Sequence, residues 1–167
     1  MNNNQLNSSQ RLFQILSLLF SYPEEWLDFD ILSETSALEN KEAALFLQEF
    51  MGIMEQKERQ TIIDDYINLF DFHEKVNLYL TSALDERQRG QVMADLKGFY
   101  AGAGLLMTDK ELPDYLPLVL EYCSLSPKES QNLLARFRPA LERLKQSLDE
   151  ANCPYVCLLK ALFLTMD

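Results

Sequence analysis

Few side chains in this sequence could do chemistry, since its 167 residues include one histidine and three cysteines. Cys153 and Cys157 are four positions apart, so both thiols would share one face of a helix. No further cysteine or histidine lies near them to complete a four-ligand zinc site, and the spacing favours small buried side chains. Cys123, on the apolar side of its predicted helix, is interpreted in the same way.

The other candidates for catalysis are equally weak. His73 lies in the polar run Phe-His-Glu-Lys, which favours a solvated side chain over a general base. The glycines at 98, 102 and 104 resemble a phosphate loop, but the Gly-Lys-Ser/Thr ending and a preceding strand are missing. No two carboxylates stand out as an acid–base pair. The sequence therefore predicts a protein that is not an enzyme.

Three dense blocks of residues lie between Asp64 and Tyr122, and the first holds Tyr66, Leu69 and Phe70 at i, i+3 and i+4. This spacing forms one apolar patch, which by itself predicts core.

The second and third blocks contribute charged residues. Arg89 and Asp95 fall on different faces of a predicted helix, where each needs a partner if buried and could hold a peptide if exposed. Asp114 precedes a helix that begins near Pro117, so its charge suits the positive end of that helix. Capping alone would explain Asp114.

The net charge of −11 repels nucleic acid and anionic lipid. It either favours a basic partner, such as an arginine-bearing peptide, or serves solubility. The apolar run Leu12–Phe20 is too short to span a bilayer, and no basic segment precedes it. An odd number of cysteines is typical of a reducing compartment. We expect a cytoplasmic protein that does not insert into membranes.

Apolar spacing predicts an all-α single domain over residues 9–167, after a disordered segment 1–8. Ser9 is the expected N-cap of the first helix, and Pro23 opens a short one. The other predicted helices cover 41–54, 56–70, a segment through Val76, Leu78 and Leu80, 85–104, 118–125, 127–137, 139–152 and the chain from 154 onward.

Two prolines precede the helix near 118, and we predict that it begins at Pro117, where proline is favoured at the first position. Residues 113–115 then form a tight lead-in that displays its side chains.

Three motifs follow one another along the chain and together form a specific combination. They are Tyr-x-x-Leu-Phe-Asp from Tyr66, Arg-Gly-Gln-x-Met-x-Asp-Leu from Arg89 and Leu-Pro-Asp-x-Leu-Pro-x-x-Leu-Glu-Tyr from Leu112. This combination resembles the molybdenum cofactor assembly chaperones of respiratory nitrate reductase, the delta subunit or NarJ type. These belong to the TorD-like group of redox-enzyme maturation chaperones. The resemblance covers Ser9 to the C-terminus and is strongest from Tyr66 to Tyr122.

The resemblance implies a helical bundle of the TorD/NarJ type with no catalytic activity and no stably bound cofactor. Such chaperones bind the catalytic (alpha) subunit of nitrate reductase as an apoprotein, through its N-terminal segment. They keep it competent for insertion of bis-molybdopterin guanine dinucleotide and iron–sulfur clusters before membrane attachment, in support of nitrate respiration and assimilation. The chain would act as a monomer or weak homodimer.

The resemblance also implies a peptide groove lined by Tyr66, Leu69 and Phe70, with Pro113, Asp114 and Tyr115 as its polar edge; Asp71 and Arg89 are assigned to the same site. Two departures are visible. Tyr115 stands where family members often have histidine, and the histidine-rich stretch common before Arg-Gly-Gln is acidic and shorter here.

Three alternatives stay open. The chain could serve another molybdoenzyme, of the dimethyl sulfoxide or trimethylamine oxide reductase type. It could be a helical domain whose apolar patch binds a small ligand. An enzyme built on Cys153 and Cys157 is the most distant.

Overall fold

The structure is a computed structural model that describes residues 3–72 and 76–167. The described chain forms α1 (Asn3–Phe20), α2 (Ile31–Thr35), α3 (Lys41–Glu55), α4 (Arg59–Phe70), α5 (Glu86–Gly102), α6 (Leu116–Leu125), α7 (Pro127–Glu150) and α8 (Val156–Met166), with a short 3-10 helix at Pro23–Glu25. Within these residues the only β-structure is an isolated bridge. The predicted all-α fold is confirmed.

Helix α1 lies at the centre of the bundle, against α6 and α8. Its apolar spacing places Leu16, Leu19 and Phe20 on one completely buried face. On the same helix, the Ser17 hydroxyl donates a hydrogen bond to the carbonyl of Pro117 at 2.6 Å. Helix α3 packs on the other side of α8, and α7 covers α6 and α8.

The start of α1 differs from the prediction. The helix begins at Asn3, so Ser9 lies inside it and is not its N-cap. Extending an existing helix by a polar turn is much less costly than nucleating one, and the buried apolar turns from Leu12 onward supply the nucleus.

Local signals placed several other boundaries correctly. Asp85 accepts a hydrogen bond from the amide of Gln88 at 2.8 Å and caps α5. Gly104 has a φ of 77° just beyond the end of α5, a left-handed conformation that glycine adopts readily after a helix. Asn40 caps α3 by accepting from the amide of Ala43 at 3.0 Å.

The predicted helix through Val76, Leu78 and Leu80 is wrong. All three side chains are buried at a spacing of two, which is the alternation of an extended chain. Between them, Tyr79 forms an antiparallel bridge with Tyr115. The first part of that prediction, residues 73–75, lies outside the described residues.

The predicted pair of helices 127–137 and 139–152 is a single helix, with Pro139 inside it. Proline there removes one hydrogen bond, which normally costs about 3 kcal/mol. The apolar face continues across the proline, and its buried side chains hold both halves against the core: Leu133, Leu134, Phe137, Leu141, Leu144 and Leu148. The final helix follows Pro154 as expected and begins at Val156.

Candidate functional site

The lead-in to α6 is buried, which contradicts the prediction that it displays its side chains. Asp114 has no exposed surface, and Tyr115 is 8% exposed. The 78–80 segment covers them, because it is hydrogen-bonded to the lead-in at two points. The amide of Leu80 donates to the carbonyl of Asp114, and the amide of Leu116 donates to the carbonyl of Leu78. Pro113 is buried as well.

The carboxylate of Asp114 holds the loop before α5. Its Oδ2 accepts from the amide of Thr81 at 3.0 Å and from the Thr81 hydroxyl at 2.6 Å. The other oxygen has no partner among the described residues. Asp114 therefore does not cap α6, and its carboxylate lies inside the protein and not at an open polar edge. Its predicted part in binding stays a prediction.

Arg89 belongs to the same network. Its Nε donates to the Thr81 hydroxyl at 3.2 Å, so the network runs from Arg89 through Thr81 to Asp114. Asp95 has a separate partner, since it accepts from Arg136 at 2.9 Å. This hydrogen bond lowers the pKa of Asp95.

Tyr66 lies beneath the surface of the predicted groove. It is 1% exposed, and its hydroxyl donates to the carbonyl of Phe20 at 2.6 Å. The hydroxyls of Tyr66 and Tyr115 are 3.2 Å apart, so Tyr115 is the donor between them. Burial raises the pKa of both phenols, so Tyr115 stays protonated at neutral pH and acts as a hydrogen-bonding group.

Leu69 and Phe70 are half-buried beside Tyr66, so part of each side chain faces solvent. The ring of Phe70 lies 4.8 Å from that of Tyr66 and packs edge-on against buried Tyr155 at 5.1 Å. The apolar triplet that spacing assigned to core is thus core at Tyr66 and partly exposed surface at the other two positions.

Two exposed aromatic residues extend this surface, and both escaped the sequence reasoning. Phe72, two residues beyond α4, is 77% exposed. Tyr22 is 38% exposed, and its ring lies 5.1 Å from that of Tyr66. Tyr22 directly precedes Pro23, and nothing in the local sequence distinguishes a solvent-facing Tyr22 or Phe72 from a buried one.

Two carboxylates border the same surface. Burial raises the pKa of Tyr22, and the negative charges of Asp71 and Glu111 raise it further. Asp71 is exposed at the end of α4. Glu111 is half-buried and accepts a hydrogen bond from the hydroxyl of Tyr79. We call Tyr22, Leu69, Phe70 and Phe72, with the bordering acids Asp71 and Glu111, the aromatic site.

A cavity of about 370 Å³ opens next to Leu69, between α4 and the loop before α8. Its walls are largely apolar and include Ile62, Pro154 and Tyr155, with Asn68 at its exposed side. The volume lies within the range of small-ligand sites and can also hold a single large side chain.

None of the three cysteines lies in an environment that would make its thiol reactive. Burial raises the pKa of Cys123 to about 12 and, together with Glu49, that of Cys157 to about 11. Cys153 is half-buried, and its pKa is also raised by burial. All three thiols therefore stay protonated at neutral pH, which confirms the structural interpretation for Cys123 and Cys157.

No group of three or more possible metal ligands occurs among residues 3–72 and 76–167. His73 lies outside those residues. No helix in the described part of the chain is long and apolar enough to cross a membrane.

Comparison with known proteins places the chain in a family. Residues 34–160 match the family described as "Nitrate reductase delta subunit". A Bacillus subtilis (strain 168) protein, "Probable nitrate reductase molybdenum cofactor assembly chaperone NarJ", is 31% identical, with 97% of this chain and 92% of that protein aligned.

Two Escherichia coli (strain K12) proteins are similar over much of the chain. "Probable nitrate reductase molybdenum cofactor assembly chaperone NarW" is 30% identical over 91% of this chain and 66% of its own length. "Nitrate reductase molybdenum cofactor assembly chaperone NarJ" is 31% identical over 89% of this chain and 66% of its own length. Together with the motifs that begin at Tyr66, Arg89 and Leu112, these matches establish that the chain belongs to the nitrate reductase delta subunit family, of the NarJ type.

Proposed function

We propose that this protein is a non-catalytic assembly chaperone that binds the apo catalytic subunit of a respiratory nitrate reductase. In this proposal it recognises the N-terminal segment of that subunit and promotes insertion of the molybdenum cofactor and iron–sulfur clusters. Family membership and the names of the relatives support the client. The observation that carries the binding claim is the partly exposed Leu69 and Phe70 beside exposed Phe72 and acidic neighbours.

The aromatic site suits a segment with one apolar side. Leu69, Phe70 and Phe72 offer apolar surface that a short amphipathic helix could cover, as in helix-in-groove recognition. The cavity beside Leu69 would take one of its large side chains. Tyr66 and Tyr155 below are buried and packed, so the floor is already ordered before the segment arrives.

The charge distribution suits a basic segment. Asp71 and Glu111 border the apolar surface, and the whole chain carries a net charge of −11. Such a field speeds encounter with a cation-bearing peptide more than it strengthens the final complex. In this proposal exposed Asp71 and half-buried Glu111 take the binding role that the family resemblance implied for Asp114.

The remaining predicted site residues act from behind the surface in this proposal. Asp114, Thr81 and Arg89 hold the 79–81 segment in place, and Tyr79 in turn bonds Glu111. Tyr115 fixes the hydroxyl of Tyr66. We propose that these residues position the aromatic site and do not contact the client.

The proposed chaperone role also determines the location, oligomeric state and cofactor content that we propose for the protein. The protein works in the cytoplasm, where the client is completed before membrane attachment, and it acts as a monomer or weak homodimer. It binds no cofactor stably, since its contribution is to hold the client.

The largely apolar cavity beside Leu69 supports the small-ligand alternative, in which an apolar molecule occupies it without any peptide.

Calorimetry tests the proposal with a synthetic peptide covering the first residues of a nitrate reductase catalytic subunit. We expect binding that weakens with salt and falls at least about tenfold in Leu69→Ala and Phe72→Ala. Leu45→Ala is the matched control, because Leu45 is an exposed leucine on α3. Undetectable binding by the folded wild-type protein would refute the peptide site.

A further inference from the structure

A second groove, between α5 and α7, is lined by three arginines. It consists of two adjoining cavities of about 700 Å³ and about 360 Å³, which share Leu80, Ala140 and Arg143. Arg87 and Arg136 line the larger cavity with Arg143. We call this surface the arginine groove. None of its lining residues belongs to the aromatic site.

The groove is a local positive region on a strongly acidic protein, which has 26 acidic and 15 basic residues. Arg136 is neutralised in part by Asp95 at 2.9 Å. Arg87 and Arg143 are exposed, and neither forms a salt bridge with any of the described residues. Among residues 3–72 and 76–167, Glu150 is the one carboxylate that lines either cavity, and it lies in the smaller one. Two guanidinium groups are therefore available for acidic groups of a ligand.

Apolar side chains lie between the arginines in the larger cavity, together with the polar Gln88 and Gln91. Leu84 is 37% exposed, and the buried side chains of Val92 and Phe137 also line the larger cavity. A ligand that carries only charge would leave this surface uncovered. A segment with both carboxylates and apolar side chains would use the arginines and the apolar floor together.

The length of the groove favours a peptide. Its lining runs along α7 from Arg136 to Glu150, which is a distance of about 21 Å at the rise of an α-helix. An extended chain of about six residues covers that distance, whereas a small anion would occupy one end.

We propose that the arginine groove docks an acidic, partly apolar peptide segment of a partner protein. Carboxylates of the segment pair with Arg87 and Arg143, and its apolar side chains cover Leu84 and its neighbours. The partner segment is opposite in charge to the basic segment proposed for the aromatic site. The two surfaces can therefore bind two different segments at once, and neither proposal depends on the other.

Selection of random peptides of about twelve residues on the full-length protein tests this inference. We expect two enriched classes: basic apolar peptides for the aromatic site and acidic apolar peptides for the arginine groove. Fluorescence anisotropy with the best acidic peptide should show at least about tenfold weaker binding to the Arg87→Glu/Arg143→Glu variant, because attraction becomes repulsion. The same variant should retain its binding of basic apolar peptides.

Lys97→Glu/Lys128→Glu is the matched control. It makes the same change of net charge at exposed positions of α5 and α7 that do not line either cavity. We expect it to weaken binding of the acidic peptide less than about twofold.

Several results would overturn the inference. Equal weakening by both double variants would mean that the general field, not the groove, attracts acidic peptides. Absence of an acidic class from the selection would mean that the groove binds no such segment. Displacement of the peptide by inorganic phosphate, but not by chloride at equal ionic strength, would make the groove a small-anion site. A dimer seen in sedimentation of the wild type and lost in the arginine variant would assign the groove to a second copy of the chain.

Discussion

Asp114 accepts two hydrogen bonds from Thr81 through a single carboxylate oxygen, although the two residues are 33 positions apart. Both residues are completely buried. The contact ties the loop before α5 to the lead-in of α6, and Arg89 donates to the same threonine hydroxyl. Asp114, which the third sequence block offered as a candidate for binding, is therefore part of the internal structure.

Asp114→Ala should destabilise the protein by about 2–3 kcal/mol, because the buried amide and hydroxyl of Thr81 lose a charged acceptor. Thr81→Val should cost about 1–2 kcal/mol, since it removes the bond from the Thr81 hydroxyl to Asp114 and the bond that Arg89 donates to that hydroxyl. Urea unfolding measures both, and Asp109→Ala at an exposed position should stay within about 0.5 kcal/mol of the wild type. An Asp114→Ala protein of unchanged stability that no longer binds the client peptide would return Asp114 to the binding surface.

Asp71→Asn combined with Glu111→Gln should slow association with a basic client peptide about fivefold at low salt, with a smaller effect on dissociation. Both substitutions keep a side chain of the same size that can still accept a hydrogen bond, and they remove two negative charges that raise the pKa of Tyr22. Stopped-flow fluorescence measures the two rates. The pair Glu42→Gln and Glu129→Gln removes two exposed charges on α3 and α7 and provides the control. Equal slowing by both pairs would show that only the net charge matters.

Asn68→Trp should partly fill the cavity beside Leu69, because Asn68 lies at its exposed side. If a client side chain enters that cavity, peptide affinity should fall about tenfold by calorimetry, with little change of stability. Asn132→Trp, at an exposed position on α7, controls for the added ring. Unchanged peptide affinity would show that the client leaves the cavity empty.

The cysteines should react slowly with a thiol reagent such as Ellman's reagent in the native protein at pH 8. Burial raises the pKa of Cys123 to about 12 and that of Cys157 to about 11, so thiolate is scarce at any pH below these values. All three thiols should react at once in guanidinium chloride. Cys153→Ser/Cys157→Ser should leave nitrate reductase maturation intact, and loss of maturation by the folded variant would revive a redox role.

Pro139→Ala should stabilise the protein by about 1–2 kcal/mol, because it restores a hydrogen bond within α7 to the carbonyl of Ala135. Part of the gain is offset, since alanine leaves the unfolded chain more conformational freedom. Thermal and urea unfolding measure the change. A loss of stability would show that the packing of α7 depends on a bend at the proline.

Local sequence features determined most of the helix boundaries. Asp85 marks the start of α5 through its capping carboxylate, and Gly104 marks its end through its left-handed conformation. Both effects act on backbone groups only a few residues away. Apolar spacing likewise predicted the buried face of α1 at Leu16 and Leu19. The three motif blocks also predicted the family that residues 34–160 match.

Tertiary contacts decided which side chains face the solvent, and these contacts join distant parts of the chain. Leu78 and Leu80 are extended because they pair with the lead-in to α6, and that pairing also buries Asp114. Pro139 stays inside a helix because the packing of its apolar face outweighs one lost hydrogen bond. Phe72 and the arginine groove are exposed because no other described segment covers them. Spacing along a helix shows which residues share a face, but only the folded chain determines what that face meets.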